Sequence, residues 1–167
     1  MSPELENKLF SDFPNLFENT HKGPIASCLS FGIECGDGWY DLINTLCYSM
    51  QSHIENRTRQ REWAIEHNRK LQENPDYKPF DATPRTVPDE IDQVVVQQIK
   101  EKFGGLRFYC HGGDEGTYGM ISLAEDLSYG ICEECGNRGE RRSGGWIKTL
   151  CDQHHVKRSL GADNMKL

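Results

Sequence analysis

Ile131-Cys132-Glu133-Glu134-Cys135-Gly136 opens the stretch that decides how this chain is read, and Leu150-Cys151-Asp152-Gln153-His154-His155 closes it. Two residues separate Cys132 from Cys135, fifteen separate Cys135 from Cys151, and two separate Cys151 from His154. A Cys-x2-Cys pair in a tight turn presents two thiolates to one metal ion, and Gly136 stands where that turn bends. On a helical turn, Cys151 and His154 share one face. The whole pattern matches a zinc template in which one Cys is replaced by His. Cys132, Cys135, Cys151 and His154 are therefore the expected ligands of one structural Zn2+. His155 is the alternative to His154, because an i,i+4 pair also faces one side. Four protein ligands leave no position for a catalytic water, so such a metal contributes folding energy and no chemistry.

Between the two pairs, Gly139 to Leu150 reads as a small hairpin turning at Ser143-Gly144-Gly145, with Trp146 and Ile147 available to cover the metal. This order of knuckle, hairpin and helix-borne ligands resembles a treble-clef or zinc-ribbon finger. Arg138, Arg141, Arg142, Lys148, Lys157 and Arg158 surround it. They read first as a solvated surface, and second as contacts for phosphates or an acidic protein.

The length of 167 residues suits one medium-sized domain, or one domain with a small appended module. The expected division is a body over 1–130 and a zinc-finger module over 131–167. Charge follows the same division. The chain carries −7 overall, with twelve Lys/Arg against twenty-one Asp/Glu in the body and seven against five in the module. That balance argues against indiscriminate binding to nucleic-acid backbones, where affinity comes from neutralised phosphates. The seven cysteines are odd in number, and Met1 to Glu6 show no signal pattern, so metal-bound thiolates in a reducing compartment fit better than disulfides. No run approaches a membrane-spanning length.

Working outward, Leu5, Leu9, Phe10, Phe13, Leu16 and Phe17 predict a short amphipathic helix interrupted by Pro14. Ser27 to Ile33 is read as a strand or packed loop. Trp39, Leu42, Ile43, Leu46, Cys47, Met50 and Ile54 form a broad apolar stripe, which predicts the main helix, with Asp37 as N-cap and Asp41 in its first turn. From Glu55 the helix turns polar, and Pro75, Pro79, Pro84 and Pro88 make 74–90 a loop or arm. Residues 55–90 thus read as an excursion from the core, first as a tolerated insertion and second as a peripheral hairpin for partners. Val94 to Lys100 and Leu106 to Cys110 predict a β-hairpin turning at Lys102-Phe103-Gly104-Gly105. Tyr118, Ile121, Leu123, Ala124 and Leu127 predict a second helix over 114–129. The expected fold class is α+β, with helices packed on a small antiparallel sheet and the finger at the C-terminus.

Other constellations carry weaker signals. Cys28, Cys35, Cys110 and His111 would make a second metal site if their segments met, although buried apolar cysteines are the simpler reading. Glu34, Asp37 and Asp41 would form a hydrolase-like cluster with His111, Asp114 and Glu115 only if two glycine-rich turns converged. Trp39, Tyr40, Arg107 and Tyr109 offer aromatic faces and a guanidinium of the kind that hold a nucleotide.

Three segments together resemble small bacteriophage- and prophage-encoded proteins of uncharacterised function: Glu34-Cys35-Gly36-Asp37-Gly38-Trp39-Tyr40-Asp41-Leu42-Ile43, Lys100-Glu101-Lys102-Phe103-Gly104-Gly105-Leu106-Arg107-Phe108-Tyr109, and the finger with Gly145-Trp146-Ile147-Lys148-Thr149-Leu150-Cys151. The likeness covers roughly 10–54 and 92–155 and implies provenance: a phage accessory protein in the cytoplasm of an infected bacterium. Binding is favoured over catalysis. The expected partner is a host protein, as in counteracting antiviral defence, engaged through the acidic body and the 55–90 arm. Capture or destruction of a nucleotide-derived defence signal is the first alternative. Nucleic-acid binding through the basic finger is the second.

Overall fold

The structure, a computed structural model, describes residues 1–18, 32–74 and 76–163. Among these the fold is α+β, with four α-helices and two small antiparallel sheets. Cys28 and most of the Ser27–Ile33 segment lie outside the described residues.

Helix α1 (Pro3–Asp12) has Pro at its start and Glu4 and Glu6 in its first turn, both suited to a helix N-terminus. Its Leu9 is buried, and Leu16 and Phe17 join the same core just beyond it. A single 3₁₀ turn over Asp37–Trp39 leads into α2 (Tyr40–Glu73), a helix of 34 residues and about 50 Å. Asp37 is not the N-cap expected of it. It lies inside the 3₁₀ turn, and its Oδ1 accepts a hydrogen bond from Ser2 N at 2.6 Å. The predicted stripe is the buried face: Ile43, Leu46, Cys47, Met50 and Ile54.

Beyond Ile54, only Ala64 and His67 of α2 are buried. What covers them is the proline-rich return, which folds back along the helix. Arg61 Nη1 donates to Pro88 O (2.8 Å), and Asn68 both donates to Arg85 O (2.8 Å) and accepts from Arg85 N (2.7 Å). His67 Nδ1 lies 3.1 Å from Tyr77 Oη, and its Nε2 lies 3.2 Å from Thr83 O. The arm is thus built internally from helix and return strap.

Strands β1 (Val95–Lys102) and β2 (Gly105–His111) form the hairpin, with Lys102 opposite Gly105 and an irregularity between Val96 and Gln98. Val96, Ile99, Leu106 and Phe108 point into the core. The outer edge of β1 is covered by two stretches of backbone: Val96 N donates to Leu16 O, and Glu34 bridges in parallel to Lys100. Helix α3 (Glu115–Ser128) closes the edge of β2 with side chains. Ser128 Oγ accepts from Leu106 N at 2.8 Å, and Glu125 Oε1 accepts from Phe108 N at 2.9 Å.

The helix expected over 114–129 is present, and the edge contact bears on which face it buries. The large residues Tyr118, Leu123 and Leu127 are about half exposed or more, while Thr117, Ile121, Ala124 and Ser128 are buried. Spacings of 4, 3 and 4 make the buried set a true helical stripe. The helix turns its small side inward, where Ser128 reaches Leu106 N, while the half-buried Glu125 satisfies Phe108 N.

Candidate metal centre

Residues 131–139 fold into a narrow knuckle. Cys132 N donates to Asn137 O (2.7 Å), Gly136 N to Cys132 O (2.8 Å), and Gly139 N to Gly130 O (2.8 Å). Strands β3 (Glu140–Arg142) and β4 (Lys148–Leu150) form the small hairpin that follows. Cys151 follows β4 directly, and α4 (Asp152–Asp163) begins at once, carrying His154 in its first turn.

This path brings Cys132, Cys135, Cys151 and His154 into one cluster whose ligand atoms all lie within 4.8 Å of one another. His154 Nδ1 is 3.3 Å from Cys151 Sγ and 3.6 Å from Cys132 Sγ, and the sulfurs of Cys135 and Cys151 are 3.9 Å apart. A tetrahedron with S and N donors at about 2.3 and 2.1 Å has edges of about 3.5–3.8 Å. The four residues therefore fit a single metal ion. Burial works against ionisation of Cys132, but backbone N–H groups of Cys151, Cys135 and Glu134 directed at its sulfur prevail and bring it down to about 7. His155 is outside the cluster; its backbone N–H makes the first α4 hydrogen bond, to Cys151 O at 2.9 Å.

The finger is seated on the body by close backbone approach. Gly38 N donates to Glu133 O at 2.8 Å, and Trp39 Nε1 donates to Ile131 O at 2.9 Å. A Cβ on Gly36 would stand 2.3 Å from Glu133 O, and one on Gly38 would stand 2.2 Å from Cys132 O and 2.5 Å from Cys135 N. On the other side, Thr149 Oγ1 donates to Gly104 O at 2.5 Å. Residues 34–43, 100–109 and the finger thus meet in one place.

Glu133, two residues before Cys135, is the buried hub of this junction at 2% exposure. Its Oε1 accepts from Gly36 N at 3.0 Å. Lys148 Nζ stands 3.1 Å from Oε2, off the angle a hydrogen bond needs, so charge compensation is the main interaction. Sequence spacing showed Glu133 only as a residue between two ligands.

No protein-family model, curated protein or solved structure matches this chain.

The remaining candidates are dispersed. Trp39 is wholly buried with its indole N–H used, so it offers no face to a ligand. Tyr40 packs against the core. Arg107 Nη2 donates to Tyr129 Oη (3.0 Å), and Glu125 is 3.8 Å from its Nη1. Tyr109 is 44% exposed, with Lys100 Nζ over its ring. Trp39 and Tyr40 therefore do not form one pocket with Arg107 and Tyr109.

The two glycine-rich turns do not converge either. Glu34 Oε2 accepts from Gln98 Nε2 near the start of α2. Asp114 instead caps α3 through Thr117 N and sits 3.0 Å from His53 Nε2, thirteen residues into α2 and so about 20 Å along it. The Thr117 N–H, against some desolvation and with help from His53, brings Asp114 down to about 2. Burial pushes the Cys35 thiol up to about 12, and it raises Cys47 and Cys110 as well. These thiols are neutral packing groups. Among the described residues, no helix is long and apolar enough to cross a membrane.

Proposed function

We propose that this is a zinc-stabilised binding protein of phage origin, which engages a host protein through the arm formed by the second half of α2 and the 74–90 return. Three thiolates and an imidazole are a donor set suited to zinc. The set is complete, so the ion has a structural role and no open position for substrate. The separation of the Glu34–Asp37 turn from the His111–Asp114 turn removes the carboxylate–imidazole cluster that a hydrolase reading needs.

The observation that carries the binding reading is the surface of the arm. Phe80 is fully exposed, Trp63 is 57% exposed and Ile65 is 46% exposed, on a part of the chain that supplies nothing to the core cluster. Arg85 stands over the Trp63 ring. An exposed Trp with an arginine over its ring is a typical anchor of protein interfaces. Counteraction of antiviral defence is the role that the phage resemblance suggests for such a contact.

The test is retrieval of host proteins from bacterial lysate by the tagged, zinc-loaded chain and by an Ile65→Ser/Phe80→Ser variant. One host protein held by the first and lost by the second, with melting temperature and zinc content unchanged, supports the arm. Equal retrieval by both sinks it.

A further inference from the structure

The finger presents a second surface that the arm does not explain. Trp146 is 67% exposed and Phe103 is 59% exposed. The two come from different parts of the chain, and they line one recess of about 430 Å3 beside Lys100 and Lys102. Trp146 also borders a second recess of about 440 Å3, lined further by Lys148, His154, Lys157 and Arg158. One indole is the shared wall.

Both aromatic groups are held where they are by a single carboxylate. Glu101 Oε2 accepts from Trp146 Nε1 at 2.9 Å, and Glu101 Oε1 accepts from Gly104 N at 2.7 Å, in the turn that carries Phe103. Arg158 Nη2 donates to Trp146 O at 2.6 Å. Phe103 itself has a φ of 56°, a region that bulky residues rarely occupy and where Asn or Gly suits a two-residue hairpin turn. The turn geometry does not call for a phenyl ring, whose face carries Lys102 within the chain; a stacked ligand would use it. Strain of this kind is found where a site needs it.

Charge on this face opposes that of the whole chain. Five basic side chains line the two recesses against the carboxylates of Glu101 and Glu134. Setting Lys148 against buried Glu133 still leaves a net positive surface. The acidic body does not cancel it, because at physiological salt charges beyond about 8 Å are largely screened.

We propose that this face binds single-stranded nucleic acid, with bases stacking on Trp146 and Phe103 and phosphates against Lys102, Lys157 and Arg158. Stacking on aromatic side chains within a basic groove is how strands are held without sequence preference. Two recesses that share one indole suit successive nucleotides, whereas a lone nucleotide would fill only one. A duplex hides its base faces, and an acidic peptide would leave the rings without a flat partner. The site is separate from the arm, so either proposal stands without the other.

The test is fluorescence anisotropy of a labelled oligothymidine of about 12 nucleotides, titrated with the zinc-loaded full chain at low and physiological salt. The expected result is binding that weakens with salt, at a log–log slope of about −2 for three phosphates. Trp146→Ala and Phe103→Asn should each weaken it by about five- to a hundredfold. Phe103→Asn suits the turn better than Phe, so it keeps the test decisive even if Trp146→Ala loosens the finger. The proposal is overturned if the wild-type chain binds no strand at low salt, or if folded Phe103→Asn binds as well as wild type. Competition by duplex, thymidine monophosphate or polyglutamate as effective as that by the strand also overturns it.

Discussion

The buried carboxylate of Glu133 accepts a hydrogen bond from the backbone N–H of Gly36 at 3.0 Å, across 97 residues of sequence. Through it the metal knuckle is joined to the turn from which the longest helix starts. Lys148, from β4 of the same finger, stands beside the other oxygen. Removal of the side chain by Glu133→Ala would leave the Gly36 amide without its partner and Lys148 with only Glu134, 3.7 Å away, at a cost of about 3 kcal/mol. Glu133→Gln keeps an oxygen for Gly36 and should cost less. Chemical denaturation of both variants checks the order, and equal loss in the two would contradict it.

Gly38 and Gly119 predict opposite signs for one substitution. Gly38→Ala would drive a Cβ to 2.2 Å from Cys132 O and 2.4 Å from Gly136 N, both backbone atoms. It should lose about 3 kcal/mol and weaken the metal centre. At Gly119, inside α3, an added Cβ meets nothing within 4 Å. Gly119→Ala should therefore gain about 0.5–1 kcal/mol. Thermal melts and zinc content of the two variants read this directly.

Phe103→Asn should raise stability while weakening strand binding. Relief of a bulky residue at positive φ contributes about 1 kcal/mol, which is roughly 3 °C in melting temperature for a chain of this size. A lower melting temperature would mean that the ring, with Lys102 over it, contributes more to the fold than its exposure suggests.

Asp114 makes stability depend on acid. Its folded-state pKa, about 2, lies below the usual carboxylate value near 4, so the unfolded chain binds its proton first as pH falls. The stabilisation is full above about pH 4 and is lost as pH drops towards 2. Asp114→Ala should cost about 1 kcal/mol at neutral pH, and the gap to wild type should close in that acid window. A gap that stays constant from pH 7 to 2 would remove Asp114 from this role.

What could be read from the sequence follows the distance over which each feature is encoded. The four residues of the metal cluster sit in pairs three apart, and the β1–β2 turn lies between two short strands, so local spacing reveals both. The α2 stripe repeats over several turns and is equally plain. Glu133, by contrast, is buried because Gly36 and Lys148 need it, and neither is a neighbour in sequence. Trp39 looked like a ligand platform because its burial depends on Ile131, 92 residues away. In α3, the rule of burying large residues failed because hydrogen bonds from the β2 edge outweighed the exposure of Tyr118, Leu123 and Leu127. Gly36 and Gly38 have their reason only in three dimensions, where the knuckle backbone approaches them.

The most direct measurement is amide hydrogen exchange on the purified chain before and after removal of its metal by a chelator, with the metal counted by native mass spectrometry. If zinc holds the finger that seats the body, one zinc per chain is present, and stripping it strips protection from the Gly36 and Gly38 amides together with the knuckle. A chain that carries no zinc, or one whose Gly36–Trp39 segment stays protected after the metal is gone, would contradict this.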